Sequence, residues 1–240
     1  MLFNQLSKMQ LPDCNECDCG SASFFCNLDV DVLKDLSINK SSSIYKKGQV
    51  IYHEGNRPHG LYCIHEGKVK LYKLGNLGKE QIIRLAGRGE ILGYRSLVCN
   101  ERYYGTATAL EDSKICHISL ESFNNVLESS SDLNFKLMKL LTKDIKESEK
   151  KIINISQKSV EERVAEALIM IKECFGMEEN GTTLNTVITR KEIGDIAGVT
   201  TESTIRKLSD LNKRGVIKLL GRKIDIPDIK RLIQVANLYD

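Results

Sequence analysis

"TRKEIGDIAGVTTESTIRKLSDLNKRGVIKLLGRKIDIPD", residues 189–228, is the most specific stretch of the chain. Thr189 stands where a side-chain oxygen caps a helix, which would run from Arg190 to Ala197, and Gly198 supplies the turn that ends it. Thr200 or Thr201 then caps a second helix that closes at Gly215. Ile193, Ala197, Val199, Ile205 and Leu208 are spaced to pack the two helices together, which predicts a helix-turn-helix. The segment "GVIKLLGRKIDI" that follows reads as two short β-rich pieces about Gly221 and Arg222, a wing.

Two packed helices occur in many proteins that never touch nucleic acid, so the outward face has to decide. Thr201, Glu202 and Arg206 occupy the first turn and a half of the second helix, where a helix in the major groove presents side chains to base edges. Glu202 can accept from cytosine N4, and Arg206 can donate two bonds to guanine. Lys207, Lys213, Arg214, Arg222 and Lys223 are left for phosphates, which set position and affinity rather than sequence. An acidic group facing a polyanion is unfavourable unless it reads a base, so Glu202 argues for specific recognition of double-stranded DNA.

The remainder of the chain reads as a soluble globular protein. Its 240 residues suit two modest domains, and 41% hydrophobic with 28% charged residues is a globular balance. No apolar run approaches the roughly 20 residues needed to cross a bilayer, and the first residues lack the basic start and apolar stretch of a signal peptide. A cytoplasmic location with no membrane partner is expected. The net charge of +3 hides an asymmetry. Residues 1–37 carry two basic and six acidic groups, whereas residues 186–240 carry eleven basic and seven acidic groups. The basic surplus falls on the segment read as DNA-binding.

From about residue 44 to residue 118 apolar and polar residues alternate over short runs, and ten of the 17 glycines lie between Gly48 and Gly105. An antiparallel sandwich or barrel is expected. The period then becomes helical. Met138, Leu141, Ile145, Ser148, Ile152 and Ile155 step by three and four, a heptad seam on a helix from about Asp132 to Ser156. So narrow a stripe fits the two-helix seam of a homodimer better than a helix packed on its own domain, and Ser148 interrupts it with a polar group.

Four of the eight cysteines, Cys14, Cys17, Cys19 and Cys26, crowd into "CNECDCGSASFFC" near the amino terminus. In a reducing cytosol such clustering points to metal binding or redox chemistry rather than structural disulfides. Cys63, Cys99 and Cys174 read as small hydrophobes or surface thiols. His53, His59, His65 and His117 show no metal-ligand spacing.

Taken with the glycine-punctuated strands, the long helix and "SVEERVAEALI" at residues 159–169, the stretch "TRKEIGDIAGVTTESTIRKL" resembles the CRP/FNR superfamily of bacterial transcription regulators. The resemblance covers nearly the whole chain. It implies an α+β fold: an antiparallel β-roll (a cyclic-nucleotide-binding-like jelly roll), a long dimerisation helix and a C-terminal winged helix-turn-helix. The expected divisions are a cysteine-rich leader over residues 1–30, the β-roll sensor over 31–130, the dimer helix over 131–157 and the DNA-binding domain over 158–240. The partners implied are a palindromic promoter site, RNA polymerase and a second copy of the chain; no enzymatic activity is expected. The nucleotide-binding branch pairs Gly-Glu with a later Arg-Ser or Arg-Thr. Here Gly89 and Glu90 are present but Arg102 is followed by Tyr103 and Tyr104, so no cyclic nucleotide is expected. The FNR-type branch, which senses dioxygen or nitric oxide, holds a 4Fe-4S cluster on leader cysteines plus one distant cysteine. The corresponding residues here are Cys14, Cys17, Cys26 and, in "DSKICHISLESF", Cys116. Eight residues separate Cys17 from Cys26, longer than the usual FNR spacing, which leaves Cys19 as a substitute ligand. Heme, thiol oxidation or a small ligand in place of a cluster, a zinc-binding adaptor and an iron-sulfur enzyme remain as alternatives.

Overall fold

The computed structural model describes residues 12–14, 16, 17, 19, 23–25, 27–76 and 78–238. In chain order the elements are α1 (Val30–Ile38), β1 (Lys40–Tyr45), β2 (Val50–Tyr52), β3 (Gly60–Glu66), β4 (Val69–Leu74), β5 (Glu80–Ala86), β6 (Ile91–Leu92), α2 (Tyr94–Val98), β7 (Thr106–Ala109), β8 (Ser113–Ser119), α3 (Leu120–Ser129), α4 (Ser131–Gln157), α5 (Val160–Phe175), α6 (Arg190–Ala197), α7 (Thr201–Lys213), β9 (Lys218–Leu220), β10 (Lys223–Asp225) and α8 (Ile229–Val235). The described residues gather into two compact units, one built from residues up to 71 and 86–144, the other from residues 72–85 and from 145 onward.

The first unit is the antiparallel β-roll. Strands β1 to β8 form two four-stranded sheets, ordered β1-β8-β3-β6 and β2-β7-β4-β5. Alternation along β3 and β8 divides the apolar residues between two cores. Ile64 and Ile115 join Ile51, Tyr52, Val69, Leu92, Tyr103 and Ala107 in one cluster. Leu61, Cys63 and Ile118 point the opposite way. There they meet Leu36 of α1, Tyr94 and Leu97 of α2, Phe123 and Val126 of α3, and Leu133 and Leu137 at the start of α4. Phe25 and Leu28 of the leader are buried in this second cluster, with Cys14 and Cys116 packed against it. The described leader residues before α1 form no helix or strand but are tied in place. The Cys14 N–H donates to Ser37 Oγ at 2.8 Å, the Phe24 N–H donates to the Gly89 carbonyl at 2.9 Å, and Lys40 Nζ donates to the Pro12 carbonyl.

The long helix α4 spans 27 residues, one beyond the expected end on each side, about 40 Å of helix. In the second unit the helix starts carry their expected caps. Ser159 with Glu162 at α5 and Thr189 with Glu192 at α6 form reciprocal capping boxes, and Thr200 accepts from the Ser203 N–H at the start of α7. The tip of the β4–β5 hairpin belongs to this unit. Gln81 Nε2 donates to the Asp195 carbonyl at 2.6 Å, while Lys191 pairs with both Glu80 at 3.2 Å and Asp195 at 2.8 Å. Of the described residues, no helix is long and apolar enough to cross a membrane.

Candidate functional site

The helix-turn-helix is held by one close approach and one left-handed residue. Gly198 caps α6 at φ 66°, a conformation most side chains resist, and Arg163 of α5 donates to the Ala197 and Gly198 carbonyls at 3.2 and 3.3 Å. At Gly194 the two helices come so near that a Cβ would stand 2.7 Å from Thr204 Oγ1 and 3.1 Å from the Val199 carbonyl. Ile193, Ala197, Val199 and Leu208 are buried as expected. Ile205 is not. It is 50% exposed, and Thr204 is fully buried in the place assigned to it. The buried stripe of α7 is Thr204, Leu208 and Leu211, a step of four and three, which turns Ile205 outward beside Glu202 and Arg206.

Glu202, Arg206, Lys213, Arg214, Arg222 and Lys223 are exposed, and Thr201 and Lys207 are half-buried. Arg206 donates to Ser203 Oγ at 3.2 Å, one turn back on the same helix. Glu161 collects two of the expected phosphate contacts, Lys207 at 3.3 Å and Arg214 at 2.5 Å, and Lys223 pairs with Glu178 at 2.7 Å. Surface pairs of this kind are worth under about 1 kcal/mol, so they do not prevent exchange onto phosphates. Strands β9 and β10 pair antiparallel about Gly221 and Arg222 and form the wing.

On α4, Met138 is 56% exposed, Ile145 60% and Ile152 69%; Ile155 and Ser148 are exposed as well. Leu141 departs from that stripe and packs partly against the second β-roll cluster. Phe135 and Ile153 add to the exposed apolar surface.

The thiols converge. Cys63 on β3 lies directly across from Cys116 on β8, and Ser42 on β1 faces Cys116 with Oγ 3.8 Å from its sulfur. Burial pushes the Cys63 thiol well up, and Cys116, Cys19, Cys17 and Cys14 stand near enough to push it further. Burial, with Cys17 hydrogen-bonded beside it, pushes Cys19 up to about 11, and burial raises Cys116 against the opposing influence of Ser42. These are conditions that keep a thiol protonated and inert when no metal is bound. Cys26 lies outside the described residues. His65 shows no metal-ligand spacing in the sequence, yet its Nδ1 is 3.5 Å from Cys17 Sγ and 3.7 Å from Cys19 Sγ.

Residues 43–130 match the cyclic nucleotide-binding domain and residues 162–235 the Crp-like helix-turn-helix domain. The chain is similar to the anaerobic regulatory protein of Pasteurella multocida, 26% identical over 226 residues that cover 93% of this chain and 82% of that one. It is 27% identical to the fumarate and nitrate reduction regulatory protein of Escherichia coli over 93% of this chain and 90% of that one. The fold matches the structure of FixK2 from Bradyrhizobium japonicum with a TM-score of 0.75, at 23% identity, over 84% of this chain and 99% of the other.

The chain is a CRP/FNR family regulator. The family consists of DNA-binding transcription regulators, not enzymes, and α6–α7 is its helix-turn-helix. The segment that lacks an Arg-Ser or Arg-Thr pair has its own set of contacts. Arg102 donates to the Gly55 carbonyl at 2.7 Å, Glu90 accepts from the Gly87 N–H at 2.7 Å, and Tyr103 is buried against Tyr52 with ring centroids 3.9 Å apart. Cys63 and His65 each stand in an ordinary alternating strand, which gives neither a metal-ligand signal in the sequence. Their meeting with the leader is a property of strand pairing.

Proposed function

We propose that this protein is a cytoplasmic, homodimeric regulator that binds palindromic promoter DNA and engages RNA polymerase there. In this reading it senses dioxygen or nitric oxide through a 4Fe-4S cluster held by leader cysteines and Cys116. The observation that carries the sensing part is the convergence of Cys14, Cys17 and Cys19 on the face of β3 and β8 that bears Cys63 and Cys116. A cluster needs thiolates from several points of the chain around one centre, and the donor chemistry here fits it. Cys14, Cys17 and Cys116 are the ligands proposed among the described residues, with Cys26 as the fourth and Cys19 as its substitute. The bound group supplies an oxidant-sensitive tie between leader and roll.

The chain's own residues explain why such a tie would matter. Cys14 and Cys116 pack on the cluster that also buries Leu133 and Leu137, the first turns of α4. Tyr94 of α2 donates to the carboxylate of Asp144 further along the same helix. A leader clamped on the roll therefore steadies the start of the helix whose exposed stripe would pair with a second copy. Pairing places two recognition helices about 34 Å apart, one turn of DNA. The names of the relatives support a role in anaerobic gene control. Cyclic nucleotide is not part of this reading, since Arg102 has no Ser or Thr after it and is turned to Gly55.

Anaerobic purification tests the sensor. Iron, acid-labile sulfide and visible absorbance are expected in the parent protein and are expected to be lost in Cys116→Ser. A colourless, iron-free protein from strictly anaerobic cells would refute it.

A further inference from the structure

Two sulfurs and one imidazole nitrogen meet at the rim of the β-roll. Cys17 Sγ and Cys19 Sγ lie 3.5 and 3.7 Å from His65 Nδ1, and all three donor atoms lie within 4.8 Å of one another. A single ion bonded at about 2.3 Å to sulfur and about 2.0–2.1 Å to nitrogen, with tetrahedral angles, sets S and N about 3.5 Å apart and two sulfurs about 3.8 Å apart. The two observed sulfur–nitrogen separations match such coordination edges, and the sulfurs lie within reach of the same ion. Thiolate and imidazole are also the donor types that zinc-class ions select.

The backbone has been adjusted to make this meeting. Ile64 pairs with Ile115 and Glu66 with Lys114, so β3 carries one residue more than β8 at this point, and that residue is His65. A bulge re-aims the side chain it carries. The side chain ends at the leader, with Cys19 and His65 both buried and Cys17 half-buried, so an ion here would be largely enclosed.

We propose that Cys17, Cys19 and His65 form a binding site for one divalent ion of the zinc class, with a fourth coordination position left to water or an added ligand. The site differs from the four-cysteine cluster in taking a single ion, in requiring an imidazole and in leaving Cys116 out. It stands whether or not the cluster reading is right. Cys17 is common to both, so the two occupants exclude each other, and the leader has two competing metal states.

The test is a cobalt(II) titration of the full chain, freed of iron by chelation and reduced with a phosphine under argon. One cobalt per chain is expected, with visible ligand-field bands and thiolate-to-cobalt charge transfer, displaced by zinc. His65→Ala is expected to weaken binding at least tenfold, and Cys116→Ser to change it less than twofold. His65→Cys is expected to restore tight binding with stronger charge-transfer absorption, because a third sulfur replaces nitrogen; a merely structural role for His65 would not produce that. Unchanged affinity and spectrum in His65→Ala would overturn the proposal, as would equal losses in His65→Ala and Cys116→Ser. If His65→Ala does not fold, His65→Cys decides alone, and a cobalt spectrum identical to the parent's overturns the site. Iron and sulfide reconstitution of the same samples reports on the cluster separately.

Discussion

At the scale of single residues, the reading face of α7 is set by which neighbour is buried. Thr204 can occupy the core because its hydroxyl donates to the Thr200 carbonyl at 2.9 Å, so burial leaves no polar group unpaired. Hydrophobicity alone favours Ile205 for that place, and that is why the sequence misleads by one position, about 100° around the helix. Ile205 joins Glu202 and Arg206 instead, an apolar group suited to contact a thymine methyl. If Arg206 reads a guanine, as proposed from its place on α7, replacing it by Ala is expected to cost about 1–3 kcal/mol of binding, roughly 5- to 150-fold, at that base. Affinity for scrambled DNA should fall far less, and gel-shift titrations against single-base variants of a selected site measure the difference. The thiols make a second prediction. In metal-free protein near pH 8, exposed Cys99 should be alkylated before Cys19, which burial pushes up to about 11, and before Cys63, whose thiol burial also pushes well up. Mass spectrometry of partially labelled protein gives the order, and the Cys19 rate should climb with pH.

At the scale of elements, what was legible is what is local. Thr189 with Glu192, Thr200 and Gly198 announce the ends of α6 and α7 because caps depend on residues three or four apart. The bulge at His65 was not legible, since an extra residue in β3 exists only relative to β8. The exit of Leu141 from the α4 seam has the same cause: a helix of this length meets the roll over its first turns, and the meeting claims a residue that periodicity assigns elsewhere. The α6–α7 crossing offers a sharp test. Gly194→Ala adds a Cβ against Thr204 Oγ1 and the Val199 carbonyl. Alanine's better helix propensity offsets part of the overpacking, and a net loss of about 1–2 kcal/mol is expected. Denaturant unfolding would show it as a lower midpoint with unchanged slope, with weaker DNA binding.

At the scale of the whole molecule, the account joins a metal-binding leader to an unpartnered helix stripe. Met138, Ile145 and Ile152 are each more than half exposed and lie seven residues apart, the repeat of a two-helix seam. Ile145→Asp is expected to give a monomer by sedimentation velocity at concentrations where the parent is a dimer, with far-UV circular dichroism unchanged. DNA binding should then lose the contribution of the second half-site. The coupling itself is tested most directly by measuring, on one anaerobic preparation, the affinity for a sequence selected from random DNA before and after brief exposure to air. The account predicts that iron release and a loss of affinity of at least tenfold occur together in the parent, and that Cys116→Ser binds weakly from the start. Equal affinity before and after air, with the iron gone, would contradict it.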